Sequence, residues 1–261
     1  MFLRGMVEKF SCLKCGNCCK DIRIKEDKEI KPHFIRENLI NINHMSLGLF
    51  DWEANRFKEI TKDFKIKMLD VKIANLVYDL KNNISIIIHY TYDRYPRCKF
   101  LSNENKCLIY QNRPIICRMW PCPYGKFQPK NLRSSSKVCK SELPIDKLHK
   151  ELKMNKNFTD NIISDEVKEN LSKRYKENYK YRYIFDELNE LIMNFIEDQT
   201  QKGKIKPARK GHNLEFLFKK IKKSQKVNFS DLFYNNTGKK IQEQIKFSTN
   251  EKDFLKIQNK F

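Results

Sequence analysis

Four cysteines fall within eight residues, Cys12-x-x-Cys15-x-x-Cys18-Cys19, and this run limits what the chain can be more than any other feature does. A CxxC step lets two thiolates reach one metal centre, and Gly16 gives the backbone room to turn between them. A third cysteine at the same spacing gives CxxCxxC, a ligand run that suits an iron-sulfur cluster when a fourth thiolate comes from elsewhere. Adjacent Cys18 and Cys19 do not easily point the same way, so one of them is available to a second metal. The spacing is not CxxxCxxC, so radical S-adenosylmethionine chemistry gains no support.

Five further cysteines follow in a looser group, Cys98, Cys107, Cys117, Cys122 and Cys139, and none occurs after Cys139. Before Glu8 and Lys9 the N-terminus has no apolar stretch of secretory length, so the expected compartment is the cytosol, where thiols stay reduced. Nine cysteines there point to metal ligands or redox groups rather than to a disulfide framework. Zinc takes four ligands, so nine cysteines exceed one zinc site and suffice for two, or for one cluster and one mononuclear site. Thiolate donors alone do not separate zinc from iron and sulfur. The cysteine distribution sets the expected organisation: a cysteine-cluster domain over residues 1–142, and a helical, basic C-terminal region over 143–261.

Ile22 to Lys25 alternates apolar and polar residues and reads as a short strand, and Ile84 to Tyr92 is β-branched, aromatic and bounded by Asn82 and Asn83, which makes it the clearest strand. Lys28 to Asn38 and Met68 to Leu80 read as helices. Tyr95 to Cys98, Ser102 to Cys107 and Trp120 to Gly125 are turn-rich and put most of the second cysteine group on loops. A helical run begins at Ser164 and continues through Ile184, Leu188, Ile192, Phe195 and Ile196. Thr200 to Pro207 reads as a linker. Asn213 to Lys223 reads as a short amphipathic helix with Leu214, Leu217, Phe218 and Ile221 on one side. His89, inside the apolar strand, is expected to be a core histidine.

The second cysteine group carries a longer pattern: Cys98-Lys-Phe-Leu, Cys107-Leu-Ile-Tyr and Arg113-Pro-Ile-Ile-Cys117-Arg-Met-Trp-Pro. With Phe10-Ser-Cys-Leu-Lys-Cys-Gly-Asn-Cys-Cys, it resembles the YkgJ-like CxxCxxCC cysteine-cluster family of zinc- or iron-chelating domains over about residues 8–140. The resemblance implies metal ligation by Cys12, Cys15, Cys18, Cys19, Cys98, Cys107 and Cys117, with Cys139 matching the family's trailing cysteine. Cys122 lies outside the family pattern and is a possible further ligand. Trp120 stands where the family usually has Phe. The cofactor implied is an iron-sulfur cluster, of the 4Fe-4S type, or zinc. A related branch includes flagellin lysine methylases, so a cluster-dependent enzyme acting on a protein substrate is an alternative. Arg113 and Arg118 flank Cys117, where positive charge would stabilise ionised sulfur.

Positive charge is concentrated. The chain carries a formal +21, of which residues 94–140 supply +10 and residues 199–226 supply +9. The first stretch surrounds the proposed thiolates, whose own charge offsets it. The second has no cysteines, and its lysine pairs interleave with Phe216 and Phe218, a composition suited to nucleic acid, anionic lipid or an acidic protein but also to a plain solvated face. No zinc-finger, helix-turn-helix or RNA-binding signature accompanies it, so nucleic acid is a possible but not favoured partner. Phosphate-binding loops, HExxH and GxSxG are absent. No stretch approaches the roughly 18 apolar residues of a membrane span. The expected class is α+β: a small loop-rich metal-binding domain with short strands, followed by a mainly helical region.

Overall fold

In the computed structural model the described residues are 19, 32–43, 47–64, 71–92, 97–119 and 176–244. They form strands β1 (His33–Phe34), β2 (Ile40–Asn41) and β3 (Gly48–Leu49), helix α1 (Asp51–Asp63), strands β4 (Val71–Asp79) and β5 (Ile84–Tyr92), and the short helix α2 (Ile115–Met119). Then come α3 (Lys176–Gln201), α4 (Leu214–Lys223), strand β6 (Gln225–Asn228) and α5 (Phe229–Thr237). This is an α+β mixture. Two compact units are distinguished, one comprising residues 22–99 and 185–246, the other residues 1–21, 100–184 and 247–261.

The first of these contains the sheet, in the order β1-β2-β4-β5-β3, with β6 also on β5. The β4–β5 hairpin is its axis: Val71 pairs with Tyr92 and Asp79 with Ile84. On the other edge of β5, β6 runs parallel along Ile84 to Ile87, and β3 runs antiparallel at Thr91 and Tyr90. Ile86, Ile87 and Ile88 in β5 and Ala74, Leu76 and Val77 in β4 are all buried, so successive residues pointing to opposite faces are both covered. One patch is sealed by α4, whose Leu217 and Ile221 join Ile40, Leu76, Tyr78 and Ala208 in a single cluster. Elsewhere Phe57 of α1 packs edge-on to Tyr92, and Phe195 of α3 packs on Phe229 and Phe233 of α5.

Two helical expectations are corrected here. Met68–Leu80 is a strand over Val71–Asp79, because its apolar residues pair along β5 and are covered on both faces, a pattern that lacks the strict alternation of a half-exposed strand. Within Lys28–Asn38, the described residues hold β1 and a turn closed by Ile35 N–H on Leu39 O at 2.9 Å. Pro32, which has no backbone N–H, does not fit the interior of that proposed helix. The strand expected at Ile22–Lys25 and the helix start at Ser164 lie outside the described residues. The Ile84–Tyr92 strand and the α4 helix agree with expectation, and Asn213 caps α4 by accepting from Phe216 N–H at 3.0 Å.

Thr200–Pro207 is not a free linker. Its first two residues complete α3, and the segment after them is strapped to the end of β4: Leu80 N–H donates to Lys206 O, and Ala208 N–H to Tyr78 O, both at 2.8 Å. The Asp79 carboxylate, fully buried, accepts from Lys206 N–H at 2.8 Å and Lys81 N–H at 2.9 Å. A buried carboxylate needs both oxygens satisfied, and here Oδ1 takes the two backbone donors while Oδ2 accepts from Asn82 Nδ2.

His89 lies in the core as expected. Register shifts on both sides of Asn75 set it opposite His89, and the Asn75 amide is 3.3 Å from His89 Nδ1. Phe185 stacks at 5.9 Å and Phe50 packs at 5.0 Å. Burial lowers the His89 pKa to about 4; the Arg36 charge adds to this, and the Asn189 side chain opposes it. A histidine depressed in the fold and ordinary in the unfolded chain binds its proton more tightly when unfolded. The native state therefore loses stability as pH falls from about 6.5 towards 4, by up to about 3 kcal/mol. His89→Gln, which keeps an acceptor for Asn75, is expected to flatten the decline of Tm over that range, measured by thermal unfolding from pH 7 to pH 4.5.

Candidate metal centre

The described cysteines are Cys19, Cys98, Cys107 and Cys117. Cys98 is buried just after β5, where Lys99 N–H donates to Tyr92 Oη at 2.8 Å and fixes the chain. It belongs to the sheet-containing unit, whereas Cys19, Cys107 and Cys117 belong to the other. All three of the latter are half-buried.

Cys107 is set by a tight hairpin. Leu101 and Cys107 form an antiparallel bridge, Ser102 N–H donates to Lys106 O at 2.9 Å, and Leu108 N–H donates to Phe100 O at 2.9 Å. Asn105, at φ 62°, takes the left-handed position that closes the turn, a conformation asparagine tolerates better than most residues. Phe100 and Leu101 are buried and anchor the hairpin from below.

Cys117 sits in the middle of α2, a turn that starts directly after Pro114, whose carbonyl accepts from Cys117 N–H at 3.0 Å and Arg118 N–H at 3.1 Å. Proline suits a helix start, because its missing N–H would have had no intrahelical partner there. A five-residue helix has little stability of its own. Arg118 supplies it from the side: its guanidinium donates to Arg113 O at 2.7 Å, Gln111 O at 2.6 Å and Tyr181 Oη at 2.9 Å, and lies over the Tyr181 ring. Asn178 Nδ2 closes the opposite end on Arg118 O at 3.0 Å. Arg113 lies 3.7 Å above the Tyr110 ring and donates from Nε to Tyr110 O at 3.0 Å. Both arginines thus spend hydrogen bonds on loop carbonyls, and both stand within four residues of Cys117 in the chain. Asn178 and Tyr181 were not legible as site residues, since they lie about sixty positions away on a helix whose polar side chains look like ordinary solvent contacts.

Cys12, Cys15, Cys18, Cys122 and Cys139 lie outside the described residues, as does Trp120. Among the described residues, no group of three or more His, Cys, Asp or Glu is brought together. Cys19, Cys107 and Cys117 offer soft sulfur donors with only partial exposure, a donor chemistry that fits zinc or iron-sulfur and does not fit the oxygen-seeking Mg²⁺ or Ca²⁺.

Half-buried thiols thus stand on a tight hairpin, at Cys107, and on a short braced helix, at Cys117. The family model CxxCxxCC, described as "Putative zinc- or iron-chelating domain", matches residues 11–140, and this part of the chain belongs to that family. No curated protein and no solved structure matches the chain. Among the described residues, no helix is long and apolar enough to cross a membrane.

Proposed function

We propose that this is a cytosolic metal-binding protein that holds an iron-sulfur cluster, of the 4Fe-4S type, or zinc through Cys12, Cys15, Cys18, Cys19, Cys98, Cys107, Cys117 and Cys139. Residues 1–142 carry that chemistry. The observation that carries the reading is the family match, which spans every cysteine of the chain. The construction around Cys117 supports it, because a ligand on a short helix needs its orientation fixed by neighbours that are not ligands themselves. Arg113 and Arg118 do this while adding positive charge that favours the thiolate.

Anaerobic purification followed by iron, sulfide and zinc analysis and visible absorption tests the proposal. Stoichiometric iron with matching sulfide and a broad visible band bleached by dithionite identifies a cluster. A colourless protein with stoichiometric zinc identifies the other form. A folded protein with neither metal overturns the reading.

Arg118→Ala removes three carbonyl and hydroxyl ties at once, and the expected result is a loss of about tenfold to a hundredfold in metal affinity, read by competition with a chromophoric chelator. Arg118→Lys restores little of it, since a lysine ammonium cannot span three acceptors as the planar fork does.

A further inference from the structure

The inward side of α4 is fully used by the core, yet its outward side carries an arrangement that folding does not require. Leu217 and Ile221 are 1% and 2% exposed, whereas Phe216 is 55% exposed. Phe216, Lys219, Lys220 and Lys223 stand at i, i+3, i+4 and i+7, so they form one stripe along the helix, about 10 Å long. Lys220 Nζ is 4.7 Å from the centre of the Phe216 ring, and on the adjoining side Lys222 Nζ is 4.5 Å from that of Phe218. The one acid of the helix, Glu215, pairs with Lys219 at 3.2 Å between two exposed side chains, a contact that solvent makes weak.

The basic segment that leads into α4 extends this surface. Lys204, Lys206, Arg209 and Lys210 are exposed, while Ile205, Pro207 and Ala208 between them are buried. Strapping to β4 fixes the backbone of this segment, and Ala208 shares a cluster with Leu217 and Ile221 of the helix. The segment's cations are thus carried on a rigid frame packed against the base of α4 rather than on a loose tail.

We propose that the outward face of α4 and the adjoining segment 202–210 bind single-stranded nucleic acid, with the lysines on phosphates and Phe216 as a stacking surface for a base. A row of cations with an exposed aromatic ring is how sequence-tolerant single-strand surfaces are made. The lysine resting on Phe216 moves from the ring to a phosphate, and the vacated ring face takes the base. An anionic membrane is the less suitable partner, because an interfacial helix must insert an apolar face, and that of α4 is already committed to Leu76 and Tyr78.

The test uses the full chain with a fluorescent oligothymidylate, and phosphatidylserine-phosphatidylcholine vesicles in parallel. About four phosphate contacts give a log-log salt slope of about −3 for a single strand, so affinity falls about fiftyfold between about 50 and 200 mM salt. Lys220→Gln with Lys223→Gln makes the slope shallower by about 1.4. Phe216→Ala lowers affinity about tenfold at every salt concentration with the slope unchanged, and Phe216→Leu, which keeps an apolar side chain on the helix, shows the same loss. Circular dichroism and thermal unfolding confirm that these exposed positions leave the fold intact. No binding of the oligonucleotide at low salt, binding indifferent to these substitutions, or vesicle binding as strong as that of the oligonucleotide overturns the proposal.

Discussion

Cys12→Ser with Cys15→Ser is expected to take the protein from stoichiometric metal to almost none. The two residues contribute half of the tight CxxCxxCC run, and a serine hydroxyl does not replace thiolate towards zinc or iron and sulfur. Where metal binding and folding are coupled, the loss also appears as stability, since structural zinc sites contribute on the order of 10 kcal/mol at neutral pH. Metal analysis after anaerobic purification reads the first effect and thermal unfolding reads the second. Cys122→Ser, at the position outside the family pattern, is expected to leave metal content near that of the parent chain. If both variants retain full metal, the run is not the ligand set. If both lose it, Cys122 joins the ligands.

The same comparison separates metal loss from general unfolding. The sheet-containing unit has a core cluster of Ile40, Leu76, Tyr78, Leu217 and Ile221, none of which belongs to the CxxCxxCC run. Its far-ultraviolet signal should survive in the metal-depleted variant while the metal signature disappears.

What the sequence disclosed, and what it concealed, follows from how far each signal reaches along the chain. Ile84 to Tyr92 is legible because β-branched and aromatic residues dominate it and asparagines precede it, and α4 is legible because Asn213 precedes a clean apolar spacing. Val71 to Asp79 reads as helix in the sequence because a strand covered on both faces loses its alternation. Ala74, Asn75 and Leu76 look helical until β5 is known to lie beside them. The site divides in the same way. Cysteine spacing is a local signal and needs no fold to be seen. The bracing of Cys117 is not: it depends on Asn178 and Tyr181, which only the chain's return brings to Arg118. Sequence also placed Arg113 and Arg118 beside a thiol without showing that their donors would be taken up by carbonyls.

The strap at Asp79 is the strongest case of a polar residue whose role the sequence conceals, and its removal is expected to be the most destabilising single change in the sheet-containing unit. Its carboxylate accepts Lys206 N–H and Lys81 N–H, and Asn82 Nδ2 as well. Asp79→Ala leaves two backbone donors facing a site that water reaches poorly, and each hydrogen bond to a buried charge is worth about 1.5–3 kcal/mol. The expected loss is about 3–5 kcal/mol, a fall in Tm of about 10 °C or more. Asp79→Asn retains one carbonyl oxygen as acceptor and should cost about half as much. Because the strap also fixes segment 202–210 beside α4, Asp79→Ala should weaken oligonucleotide binding even at temperatures where the chain stays folded, whereas Asp79→Asn should weaken it less. A shift in Tm below about 1 kcal/mol equivalent for Asp79→Ala would show that the buried carboxylate contributes no more than a surface hydrogen bond.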